Sequence, residues 1–132
     1  MSALERLRLG RLGEEAVARR YEKMGFFLVA QNVRVSHNEI DLILQSPTHV
    51  AFVEVKTRHA IPGVRTKYGR PAQAVNASKR GHMVEAAKAY LREHPTELQP
   101  RIDVAEVYVK RLPDGSDEIL AIQIYPNEFR GR

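Results

Sequence analysis

The sequence predicts a single α/β domain in which a mixed β-sheet carries helices packed on it. Three observations lead there. Apolar residues switch between helical and strand periodicity in the order α-β-β-β-α-β-β. The chain has 132 residues, within the range of about 100–150 where domains cluster. No linker, internal repeat or low-complexity tract divides it, so residues 1–132 read as one domain.

Ser2-Ala3-Leu4-Glu5 has the Ser-x-x-Glu form of a capping box and opens the first helix. That helix runs through Glu14, Ala18 and Tyr21 to Gly25, a suitable residue just past a helix end. Gly10 and Gly13 weaken its middle, so a restart near Gly13 is expected. Phe26 to Ala30 reads as the first strand, Glu39 to Leu44 as the second and Val50 to Thr57 as the third, with Ser46-Pro47-Thr48 as the turn between the last two. Ala74 to Glu93 has helical spacing and stops before Pro95. Ile102 to Val109 and Ile119 to Ile124 are strands around the turn Pro113-Asp114-Gly115-Ser116. Asp103, inside an apolar strand, reads as a buried acid bound to an arginine or a backbone group. Arg101 beside it is assigned to the opposite face.

Composition removes several classes of function. Hydrophobic residues at 43% and charged residues at 28% match an ordinary soluble domain, not a disordered tail or a collagen-like fibre. The longest apolar runs, Phe26 to Ala30 and Val50 to Val53, fall far short of the ~20 residues of a membrane span. Met1 to Gly10 has no apolar signal-peptide core, and the expected location is the cytoplasm, away from membranes. With no Cys there are no disulfides, no thiolate zinc sites and no thiol nucleophile. His37, His49, His59, His82 and His94 lack paired zinc spacing, and His37 reads as a loop histidine. Neither a Gly-x-Ser-x-Gly elbow nor a Walker-type phosphate loop occurs.

The net charge of +5 is concentrated. From Val55 to Val84 the basic residues are Lys56, Arg58, Arg65, Lys67, Arg70, Lys79 and Arg80, with no Asp or Glu among them. Pro62-Gly63 and Gly69-x-Pro71 mark much of this span as loop. Such a loop suits a polyanion, because Lys and Arg gain by displacing its counterions. A solvated surface loop is the alternative.

Acids sit just upstream. Alternation puts Glu39 and Asp41 on one side of the second strand, with Ile40, Leu42 and Leu44 on the other. Glu54 and Lys56 share a face of the third. A hairpin between these strands brings Asp41 toward Glu54 and Lys56. Carboxylates this close repel and call for a cation, and hard oxygen ligands suit Mg2+ or Mn2+. A metal there polarises a phosphodiester and lowers the pKa of an attacking water, while Lys56 orients that water or balances transition-state charge. The competing reading of Glu-x-Lys is a cross-strand ion pair.

Beyond this physical reading, Asp41 followed by Glu54-Val55-Lys56 resembles the signature of the PD-(D/E)XK nuclease superfamily. The nearest branch is the YraN-like family of uncharacterised bacterial proteins. The resemblance also runs through Gly10-x-x-Gly13-Glu14, Gly25-Phe26, Asn32-x-Arg34, Glu39-Ile40-Asp41-Leu42-Ile43, Phe52-Val53-Glu54-Val55-Lys56-Thr57-Arg58, Gly69-x-Pro71, Ala74-Val75, Lys79, Ala87-x-x-Tyr90-Leu91 and Asp103-Val104. It implies a restriction-endonuclease-like fold of three layers, a central mixed sheet flanked by helices. It also implies a Mg2+- or Mn2+-dependent DNA endonuclease with Asp41, Glu54 and Lys56 as catalytic core. Asp41 and Glu54 become metal ligands. Glu14 resembles the helix acid of archaeal Holliday-junction resolvases, and Glu39 matches a family feature beside the metal. Arg58, Arg65, Lys67, Arg70, Gln73, Lys79 and Arg80 are the expected nucleic-acid contacts, with branched or single-stranded DNA among the candidate substrates. Oligomeric state stays open; cutting both strands with two active sites would call for a homodimer. Asn38 departs from the family, which usually has Gly there, but Asn tolerates a left-handed backbone. The alternative is a nucleic-acid-binding module without turnover, an adaptor in recombination, repair or DNA uptake.

Overall fold

The computed structural model describes residues 1–59 and 77–127, with side chains of the second helix described from Arg80 onward. Arg65, Lys67, Arg70 and Gln73 lie outside the described residues, as does the side chain of Lys79. The elements are α1 (Ala3–Lys23), β1 (Phe27–Val35), β2 (Asn38–Gln45), β3 (His49–His59), α2 (Ala77–Glu93), β4 (Gln99–Arg111) and β5 (Asp117–Tyr125). Their order is the one read from the sequence. The strands outrun their expected bounds, β1 reaching Val35 and β4 running from Gln99 to Arg111. Among the described residues, no helix is long and apolar enough to cross a membrane.

The strands form one sheet in the order β1-β2-β3-β4-β5. Three of its pairings are antiparallel; β3 and β4 are parallel, and α2 lies in the crossover between them. A parallel pair needs such a crossover, whereas the Ser46–Thr48 turn suffices for the hairpin before it. Each face of the sheet buries one helix. Val17 and Tyr21 of α1 pack on Leu42, Leu44, Val53, Ala105 and Val107. Ala86 and Ala87 of α2 pack on Ile40, Ile43, Phe52 and Ile102. The architecture is therefore three layers with a mixed central sheet.

Ser2 caps α1 as its sequence requires, its Oγ accepting the Glu5 N–H at 3.1 Å. The expected restart near Gly13 does not occur; α1 is unbroken. Gly13 is buried against β3, where a Cβ would overlap Oγ1 of Thr57. This glycine lets the helix approach the sheet rather than interrupting the helix.

Asp103 is fully buried on the α1 face of β4. Arg101 donates to it from Nε at 2.9 Å and from a terminal guanidinium nitrogen at 2.9 Å, and the Tyr21 hydroxyl also donates. Arg101 was expected on the opposite face. Residues two apart on a strand point the same way, so it is the partner of Asp103. Its guanidinium also lies 5.1 Å from the centroid of the Phe26 ring. Burial and the Asp103 charge push the Tyr21 hydroxyl well above its ordinary pKa. The cluster fastens α1 to the middle of the sheet.

Candidate active site

The site forms where β2 parts from β3. Their ladder pairs Gln45 with Val50 through to Leu42 with Val53 and then ends. Beyond it, the backbone N–H of Val55 is taken by a side chain, donating to Oδ2 of Asp41 at 2.8 Å. The strand alternation breaks at the same point. Ile40 was expected to share a face with Leu42 and Leu44, but it packs on the α2 side while they pack on the α1 side. On β1, Asn32 is the unpaired residue between Gln31↔Leu42 and Val33↔Ile40, and it adopts φ 50°. Both strands are deformed at the level of Asp41, a geometry that costs energy and concentrates at functional positions.

The left-handed backbone invoked for Asn38 lies elsewhere. Asn38 pairs with Val35 at the start of β2, and Ser36 takes the positive φ of 58° in the turn.

Four carboxylates feel one another here. Asp41 is pushed up to about 7, first by burial and then by the charges of Glu54, Glu14 and Glu39, against the opposing Val55 N–H. Glu14 is also pushed up, by burial and by Glu39 and Glu54, with Asn32 and Arg11 acting the other way. Of the adjacent pair on α1, Glu14 is half-buried toward the acids and Glu15 is exposed, so Glu14 is the site residue. Lys56 ion-pairs with Glu54, Nζ to Oε1 3.1 Å. Asp41, Glu54 and Lys56 are thus together, and Glu14 and Glu39 flank them within electrostatic reach. Among the described residues, no three His, Asp or Glu side chains converge as a ready metal cage. That arrangement still fits Mg2+, which keeps much of its water shell and is commonly held by one or two carboxylates plus substrate phosphates.

A cavity of about 550 Å³ opens over these groups. Asp41 and Glu54 line it together with His37 of the β1–β2 turn, Asn38 at the start of β2, and His82, Met83 and Ala86 of α2. Glu39 also borders a second hollow of about 390 Å³, lined by Arg6, Arg11, Glu14 and Asn32. Arg58 follows Lys56 by two residues on β3, and Arg80 lies on α2 two residues before His82. Sequence reasoning named Asn32 only within the family resemblance and set His82 aside with the other histidines; neither was given a place in the site. Asn32 carried one signal, since Asn is the residue that most readily adopts positive φ within a strand. His82 becomes visible only once α2 is packed over the β2–β3 hairpin.

Comparison with known proteins gives a consistent picture. The model of "Uncharacterised protein family UPF0102" matches residues 13–107. A UPF0102 protein of Symbiobacterium thermophilum is 37% identical over 123 residues, covering 92% of this chain and 96% of that protein. One from Syntrophotalea carbinolica is 34% identical over 126 residues, covering 95% of this chain and 94% of its own. One from Chloroherpeton thalassium is 37% identical over 99 residues, 74% of this chain and 73% of the relative. Among solved structures, Pyrococcus furiosus SfsA in complex with Ca2+ aligns with a TM-score of 0.48 at 13% identity. That alignment covers 85% of this chain, which spans 63% of the SfsA chain.

Proposed function

The chain belongs to the uncharacterised protein family UPF0102, and we propose that its acid cluster is the active site of a Mg2+- or Mn2+-dependent DNA endonuclease. The observation that carries this reading is that Asp41 and Glu54 open into one cavity with Glu14 and Glu39 within electrostatic reach, an arrangement that, with burial, pushes the Asp41 carboxyl up. A buried acid surrounded by acids stabilises nothing by itself, and strongly perturbed groups of this kind in a cavity are candidates for chemistry. The resemblance of Asp41, Glu54 and Lys56 to the PD-(D/E)XK pattern supports the same assignment.

In this reading Asp41 and Glu54 hold the cation, with Glu14 and Glu39 adding negative field from α1 and β2. The cation would supply Lewis-acid polarisation of the phosphodiester and a water acidified for attack. Asp41 is anchored by the Val55 N–H, which fixes its free oxygen relative to β3. Lys56, held beside Glu54, brings an ammonium to the extra negative charge that builds on the phosphate oxygens. Arg58, two residues beyond Lys56 on β3, and Arg80, two residues before His82 on α2, are the proposed phosphate contacts among the described residues, and their strength would fall as salt rises. DNA is the proposed partner, and a homodimer would supply one site per strand.

A second reading, a binding module without turnover, draws on the Glu54–Lys56 ion pair at 3.1 Å, which occupies a proposed ligand. Incubation with supercoiled, single-stranded and branched DNA plus Mg2+ or Mn2+ separates the two. Cleavage by wild type that is lost in Asp41→Ala and Lys56→Ala is the expected result. Cleavage that survives both substitutions overturns the proposed site, and salt-sensitive binding without cleavage favours the module.

A further inference from the structure

Glu106, which the proposed chemistry does not use, is the most anomalous polar group among the described residues. It is 2% exposed, and among the described residues neither of its buried carboxylate oxygens has a hydrogen-bond partner of ordinary geometry, although the Tyr108 hydroxyl is close enough that burial and then Glu106 push it above its ordinary range. An orphaned buried carboxylate is expensive, and native proteins rarely keep one without a reason. Its neighbours Ala105 and Val107 point into the core beneath α1, so Glu106 projects from the opposite face of β4, the face that Glu54 and Lys56 share on β3. The parallel ladder places Glu106 directly beside Lys56, and the antiparallel ladder on its other side places it beside Gln123. Gln123 accepts from the Tyr125 hydroxyl at 2.8 Å, and Tyr108 turns its hydroxyl toward the same Gln123 oxygen at 3.5 Å. Lys56 is then the cationic side chain that the ladder sets next to Glu106, and its ammonium lies on Glu54.

We infer that Glu106 is a positioning residue, a second seat for the Lys56 ammonium. This inference rests on the proposed cation site. When Glu54 turns to a divalent cation, it releases Lys56, whose long stem swings across one strand spacing of about 4.8 Å. Glu106 receives the ammonium there. The exchange keeps a charge-assisted hydrogen bond on the lysine in both states and fills the acceptor that the cation-free protein leaves empty. It also holds Lys56 on the sheet face beside the reacting phosphate, where a released lysine would otherwise extend into solvent.

Calorimetric titration of the folded proteins with Mn2+ alone tests this through affinity rather than turnover. Glu106→Gln keeps the shape and removes the charged acceptor. It should weaken Mn2+ binding by about tenfold, the value of one charge-assisted hydrogen bond. In a Lys56→Met background there is no lysine to relocate, so the same Glu106→Gln change should alter affinity by less than about twofold. Glu106→Leu, an apolar replacement, should repeat both results and guards against a defect peculiar to a buried amide. Equal weakening in the wild-type and Lys56→Met backgrounds, or no weakening in either, overturns the inference. Absence of Mn2+ binding by wild type overturns the proposed cation site as well, which sets the two failures apart.

Discussion

Two acids of the same sheet, the fully buried Asp103 and the half-buried Asp41, are treated in opposite ways. Asp103 is surrounded by donors: the Arg101 guanidinium and the Tyr21 hydroxyl saturate it. Asp41 receives one backbone N–H and faces Glu54, Glu14 and Glu39. The first arrangement is complete within the protein and holds α1 on β4. In the second, four acids meet one ion-paired lysine, Lys56 on Glu54, and in the proposed function a divalent cation would complete it. A buried carboxylate is therefore read by its company: donors mark a structural latch, and further acids mark a site.

The largest expected effect breaks the latch. Arg101→Ala leaves Asp103 buried and uncompensated, which should cost about 3–5 kcal/mol in urea unfolding. Asp41→Asn should do the reverse. The folded-state pKa of Asp41 lies near 7, above its ordinary 3.8. The folded protein thus binds this proton more tightly than the unfolded chain, and the carboxyl lowers stability as pH rises from about 4 to 7. Asparagine keeps the acceptor for Val55 and removes that loss. Asp41→Asn should therefore match wild type near pH 4 and exceed it by about 2–4 kcal/mol at pH 8, measured by unfolding across pH. At pH 8, Mg2+ at about a hundred times its dissociation constant should recover about 2.7 kcal/mol in wild type and little in Asp41→Asn. The reciprocal control is Arg101→Ala, whose residual folded fraction should still respond to Mg2+.

Smaller effects sharpen how α1 is placed between the two regions. Gly13→Ala puts a methyl into Thr57, a stiff β-branched side chain, and should destabilise by about 1–3 kcal/mol in thermal unfolding. It should also weaken Mg2+ binding, because Glu14 is the next residue. Ser2→Ala removes the cap of a helix held elsewhere by packing and should cost about 1 kcal/mol, with cation affinity unchanged.

Much of this was legible in the residues themselves. The cap at Ser2, the order of elements and the meeting of Asp41 with Glu54 and Lys56 all follow from local chemistry and strand alternation. What alternation could not supply was its own failure. The break at Asp41 puts Ile40 on the α2 side, because β2 leaves β3 there and the carboxylate substitutes for a backbone acceptor. Gly13 looked like a weak point of a helix because propensity counts neighbours along the chain, whereas its role is set by Thr57 on β3. Glu106 carried the same signal as Asp103, an acid within an apolar strand, but its surroundings become visible only when the strands on either side are in register.

The decisive measurement is a pH titration of the Asp41 side-chain carboxyl carbon by NMR, with and without Mg2+. The expected midpoint is near 7 in the absence of the ion, falling below about 5 when Mg2+ is saturating, because a bound cation favours the ionised form. A midpoint near the ordinary 3.8 without Mg2+, or one near 7 that Mg2+ leaves unmoved, would contradict a cation site at Asp41.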